Sequence, residues 1–88
     1  MAQWIKTDGT TIEVEPKNGT DFSLDELQGF VGGYIEVLLC GDRYLVCDEE
    51  GKLKNKPLNM AATMIADEYY KNDCIVGDAL ICNLNQII

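Results

Sequence analysis

The stretch Val31–Gly51, VGGYIEVLLCGDRYLVCDEEG, constrains the fold of this chain more than any other. Two apolar runs, Tyr34–Cys40 and Arg43–Asp48, flank Gly41-Asp42, the short-range signature of a β-hairpin closed by a two-residue turn. In that register Cys40 opposes Arg43, Leu39 opposes Tyr44 and Glu36 opposes Cys47. One face carries Ile35, Val37, Leu39, Tyr44 and Val46; the other carries Glu36, Leu38, Cys40, Arg43, Leu45 and Cys47. An antiparallel pair covered on one side alternates apolar with polar residues. This pair is apolar on both faces, so both faces need cover, either from helices of the same chain or from a second copy. Leu38, Cys40, Leu45 and Cys47 are the candidate interface residues for such a copy.

The remaining segments read as material laid against the hairpin. Ala2–Thr7 and Thr10–Glu15 are short β-type runs joined at Asp8-Gly9, a favoured type I′ turn, with Trp4, Ile12 and Val14 as inward anchors. Pro16 through Gly19 ends the second run. Asp21–Gly33 is predicted as a helix: Ser23 and Glu26 form a capping box, Phe22 and Leu27 a hydrophobic staple, and Gly32-Gly33 the exit. Leu24, Leu27, Phe30 and Val31 give its apolar stripe. Asn59–Lys71 is predicted as a second helix, capped by Asn59, with Ala61, Met64, Ile65 and Tyr69 near one face. Cys74–Val76 and Ala79–Leu84 are β-type runs parted by Gly77-Asp78, and Ile87-Ile88 reads as a docked end or an interface contact. The expectation is one α+β domain over residues 1–88. It has a mainly antiparallel sheet of about five strands in ββαββαβ order, and two helices.

Charge narrows the function classes. Fifteen acidic residues against seven basic ones give a net charge of −8, which repels phosphate backbones and anionic membranes. Ordinary nucleic-acid binding is disfavoured, whereas a partner with a basic face suits this balance. The apolar runs fall far short of the ~20 residues needed to span a bilayer, and the amino terminus lacks a signal-peptide pattern, so the expected location is the cytoplasm. The four cysteines form no CxxC pair, and they sit in or beside apolar runs. They read as reduced packing residues, with no metal site.

Catalysis finds little to work with. The chain has no histidine, the usual general base near neutral pH. Asp48, Glu49 and Glu50 are adjacent acids on a turn, more commonly solvated than catalytic. Cys74 beside Asp73 lacks the base or helix amino terminus that generates a thiolate. The expectation is a protein that is not an enzyme and uses no cofactor. Binding has a better candidate in the only basic cluster, Lys52, Lys54 and Lys56, which leads into Asn59 and the start of the second helix. Ammonium groups arriving at a helix amino terminus can hold an anion, and Arg43, Tyr34 and Tyr44 can add a fork and stacking faces. The plainer alternative is an exposed loop whose lysines offset the acids before it, with Asn59 serving only as a cap.

The order of segments also carries a resemblance. LDELQGFVGGYIEV, then YLVCDEEGKLKNKPLN, an alanine-bearing helix and IVGDALIC resemble a small domain family of uncharacterised function found in phages, plasmids and bacteria. The most telling pieces are Val31-Gly32-Gly33-Tyr34-Ile35-Glu36, Glu49-Gly51-Lys52-Leu53, Pro57-x-Asn59 and Gly77-Asp78. Met60 departs from the basic residue that often follows the asparagine in that family. The resemblance implies an accessory, host-interaction or anti-defence role, in the bacterial cytoplasm if phage-encoded, and supplies no reaction. The expected function is therefore a binding protein. It sequesters a small phosphorylated, nucleotide-type ligand at the lysine segment or engages a host protein, with a homo-oligomer expected. The alternatives are an interaction module with no small-molecule site and a small nucleotide-acting enzyme.

Overall fold

The computed structural model describes residues 2–87. Its elements are β1 (Ala2–Ile5), β2 (Thr11–Val14), α1 (Leu24–Val31), β3 (Ile35–Cys40), β4 (Arg43–Asp48), α2 (Met60–Asp67) and β5 (Ala79–Asn83), with a closing 3₁₀ turn at Leu84–Gln86. The element order matches the ββαββαβ expectation. All pairings are antiparallel, in the sheet order β2-β1-β5-β4-β3. The last strand thus lies at the centre, joining a β1–β2 hairpin to a β3–β4 hairpin. Leu80, Ala79 and Cys82 are fully buried, and Ile81 nearly so, which is why β5 reads as an unbroken apolar run rather than an alternation.

The central hairpin adopts the expected register, from Ile35 opposite Asp48 to Cys40 opposite Arg43. Gly41, at φ 65°, takes the first turn position, which suits a type II′ turn. Over β4 its two apolar faces are covered within the chain, one by each helix, whereas Val37 and Leu39 on β3 stay exposed. Leu27 and Val31 of α1, with Phe22 before it, pack on Val46, Leu80 and Cys82. On the opposite face Ala62 and Ala66 of α2, both fully buried, pack with Leu45, Cys47, Ile81 and Ile5. Small alanines let this helix approach the sheet closely. Cys40, Leu45 and Cys47, expected at an interface, are therefore core residues under α2, and Leu38 packs against the same cluster. The apolar residues of β4, from Leu45 to Cys47, are thus buried within one chain.

Local signals account for the helix ends. The Ser23 hydroxyl accepts from Glu26 N and the Glu26 carboxylate accepts from Ser23 N, so the capping box is complete. Gly32 ends α1 in the left-handed region at φ 78°. Several expectations need correction. Both helices are shorter than predicted: α1 begins after its Ser23 cap and ends at Gly32, and α2 gives way to turns after Asp67. Leu24 and Met64 are mostly exposed, at 57% and 68%, and Tyr69 and Ile12 are also exposed. On α2 the inward positions are Ala61, Ala62, Ile65 and Ala66. The β1–β2 turn is not type I′: Asp8 does not take positive φ, and Lys6 and Thr10 close a three-residue loop. Cys74–Val76 forms only an isolated bridge from Val76 to Leu58, and Cys74 is exposed. Ile88 lies outside the described residues.

Candidate functional site

The lysine segment follows β4, and its destination is set by Asp48, the last residue of that strand. The Asp48 side chain is fully buried; its Oδ2 accepts from Lys56 Nζ at 2.6 Å and from Lys54 Nζ at 2.9 Å. Its Oδ1 accepts from Glu50 N at 2.8 Å. Burial pushes the Asp48 carboxyl upward, but Lys56, Lys54 and the Glu50 amide outweigh it and hold the group at about 2. Lys56 Nζ also donates to Val31 O at 2.8 Å and Gly32 O at 3.3 Å, the carbonyls at the end of α1. A cation there meets both the unpaired carbonyls and the negative end of the helix dipole. Gly33 lies against this cluster: a Cβ there would sit 2.5 Å from Lys54 Nζ and 2.8 Å from Asp48 Oδ2. The adjoining loop is thereby clamped onto the helix end.

The other predicted ligand residues are dispersed. Lys52 pairs with Asp73 at 2.7 Å on the surface, which raises the lysine and lowers the aspartate. Asn59 is completely buried: its Oδ1 accepts from Ala62 N, and its Nδ2 donates to Ile5 O and Gly77 O, both at 2.9 Å. It is the expected cap and also a strut between three distant parts of the chain. Tyr34 is exposed and shares a cleft of about 190 Å³ with Gln28, Gly33, Glu50 and Lys54. Arg43 and Tyr44 lie at the opposite end of β4 from Asp48, about 15 Å away at the usual strand rise. The arrangement brings together Lys54, Lys56 and Tyr34, and separates them from Lys52, Asn59, Arg43 and Tyr44.

The thiols are poor nucleophiles. Burial, reinforced by Glu36, pushes Cys47 up to about 12, and burial raises Cys82 to about 11 and Cys40 in the same direction. Among the described residues no group of three His, Cys, Asp or Glu is placed to hold a metal ion, and no helix is long and apolar enough to cross a membrane.

Two features escaped sequence reading because they depend on sheet order. The first is the free edge of β3. A two-residue turn makes Cys40–Arg43 a hydrogen-bonded pair, so Glu36, Leu38 and Cys40 turn their backbone groups toward β4. Ile35, Val37 and Leu39 then turn theirs outward, in agreement with the Tyr70 hydroxyl donating to Leu39 O at 3.0 Å. Val37 and Leu39 also expose 38% and 52% of their surfaces. The second is a cleft beside α1, around Trp4, whose indole N–H donates to Phe30 O at 3.0 Å.

Searches of curated proteins and of solved structures found no match. A family model described as a domain of unknown function (DUF3846) matches residues 5–86, and the chain belongs to that family.

Proposed function

We propose that this protein is a non-enzymatic binding module that takes an extended segment of a partner protein as a sixth strand along β3. The observation that carries this reading is the contrast between the two sheet edges. β2 is only four residues long and is soon followed by Pro16, features that blunt an edge. β3 is six residues long, contains neither Lys nor Pro, and offers outward backbone groups flanked by exposed Val37 and Leu39. Such an edge is a template for β-augmentation.

Charge selects the occupant. On the α2 side of β3, Glu36 shares a cleft with Glu49 and with the Lys52–Asp73 pair, so Glu36 and Glu49 are left without a basic partner there. The fitting segment alternates apolar residues, continuing the Ile35-Val37-Leu39 layer, with basic residues on the Glu36 side. A second copy at −8 repels the first, so a basic partner suits the edge better. In the setting that the resemblance implies, a phage or other mobile-element accessory or anti-defence gene, that partner is a host protein. Sequestration of a phosphorylated ligand has less support, because Lys52, Lys54 and Lys56 each already have an acidic partner.

The test is selection of a random-peptide display library on the immobilised protein. Val37→Pro removes an outward N–H without touching the β3–β4 ladder, a place where an edge strand accepts proline. Peptides alternating apolar and basic residues are expected to be enriched and to lose at least tenfold affinity on Val37→Pro and on Val37→Lys, with unchanged circular dichroism. Selected peptides that bind both variants equally overturn the reading. A dimer that dissociates on Val37→Lys overturns the basic partner in favour of a second copy.

A further inference from the structure

The edge of β3 is not uniformly open. Its outward backbone groups belong to Ile35, Val37 and Leu39, and one of them, Leu39 O, already accepts from the Tyr70 hydroxyl at 3.0 Å. Tyr70 comes from the turn after α2, where the amides of Tyr69 and Tyr70 both donate to Ala66 O, at 2.9 and 2.7 Å. Ala66 is fully buried, so the turn is anchored on the core while its two phenol groups reach back to the β3–β4 hairpin. The Tyr69 hydroxyl lies against the hairpin turn itself, since a Cβ at Gly41 would sit 2.6 Å from it. One element therefore closes over the far end of β3 at two points.

In an added antiparallel strand, each outward residue of β3 exchanges both of its backbone groups with the residue opposite. Ile35 and Val37 turn both groups outward for this, whereas Leu39 offers only its N–H while Tyr70 is in place. The contact is displaceable: Tyr70 is exposed, so its hydroxyl can exchange Leu39 O for water at little cost. It weighs more on a second copy than on a foreign strand. In a two-fold pairing of β3 centred on Val37, Leu39 of each chain faces Ile35 of the other, so the withheld acceptor is lost twice. A foreign strand meets it once and can stop at Val37.

We infer that Tyr70 is a built-in competitor for the β3 edge, a latch that confines strand addition to Ile35–Val37. The inference rests on the strand-addition reading and supplies its regulation: an incoming segment either stops short of Leu39 or displaces the Tyr70 hydroxyl to pair further. The position of Tyr70 thereby sets how much of the edge a partner can use.

Tyr70→Phe removes the hydroxyl and keeps the ring. In the free protein the carbonyl carbon-13 resonance of Leu39 is expected to shift on this substitution while those of Ile35 and Val37 hold. An unmoved Leu39 resonance overturns the latch whether or not any peptide binds. Random-peptide display is then run on both proteins. Peptides selected on the variant are expected to carry an alternating stretch about two residues longer, the spacing of one further outward pair along a strand, and to bind the unsubstituted protein several-fold more weakly. Equal affinity of these peptides for the two proteins, with Val37→Pro still abolishing binding, overturns the latch and leaves strand addition standing. Peptides indifferent to Val37→Pro, or a library that yields no binder on either protein, overturn strand addition and the latch's role with it. The two readings are thus told apart by which substitution fails to act.

Discussion

Asn59→Ala is expected to destabilise the protein by about 3–5 kcal/mol. The substitution strips partners from three buried groups at once, Ile5 O, Gly77 O and Ala62 N, and each such loss costs about 1–3 kcal/mol. The helix-cap contribution alone accounts for only about 1 kcal/mol. A domain of this size holds about 5–15 kcal/mol in total, so the variant sits near the limit of folding. At about 4–8 °C per kcal/mol the melting temperature should fall by about 12 °C at the least. Ser23→Ala is the comparison, since Ser23 also caps a helix but at an exposed position. If Asn59→Ala costs no more than Ser23→Ala in urea denaturation, the strut between β1, α2 and the turn before β5 is not contributing as argued.

The second large effect is expected at Asp48. Its folded pKa lies at about 2, below the ordinary 3.8. A depressed carboxyl contributes stability that is present above the unfolded value and is lost as pH falls through the folded one. Here the window runs from about pH 4 down to about pH 2, and the contribution is about 2 kcal/mol. Asp48→Asn should therefore lower stability by that amount at pH 7, about 8–16 °C in melting temperature. The two proteins should converge as pH approaches 2, with the variant showing a flatter acid limb. Parallel acid limbs would show that the Lys54 and Lys56 pairs do not set the Asp48 titration. Lys52–Asp73 makes the contrast: both side chains are largely exposed, so Asp73→Asn should leave the melting temperature nearly unchanged.

These two residues also mark how far reading the chain reaches. Asn59 was legible as a cap, because a cap bonds to residues two or three positions along. Its bonds to Ile5 and Gly77 were not, since they span separations of 54 and 18 residues. The lysines were legible as a basic cluster near acids. That two of them converge on one buried carboxylate, and that one closes the end of α1, depends on α1 returning to the end of β4. The clefts and the free edge were not legible at all, because they exist only between elements that are distant in sequence.

The β3–β4 register, the capping box of α1, the αβ element order and the need to cover both hairpin faces were determined by the sequence itself. Each rests on interactions a few residues long, or on a period-2 pattern that a tight turn locks in register. The tertiary structure alone decided that the cover comes from the chain's own helices, and that β5 enters between the two hairpins rather than beside one. That placement is reached by contacts across tens of residues, where local propensity carries no information. It also leaves β3 at the outside with the backbone groups of Ile35 and Val37 turned away from β4, which makes the same hairpin both the organising element of the fold and its open edge.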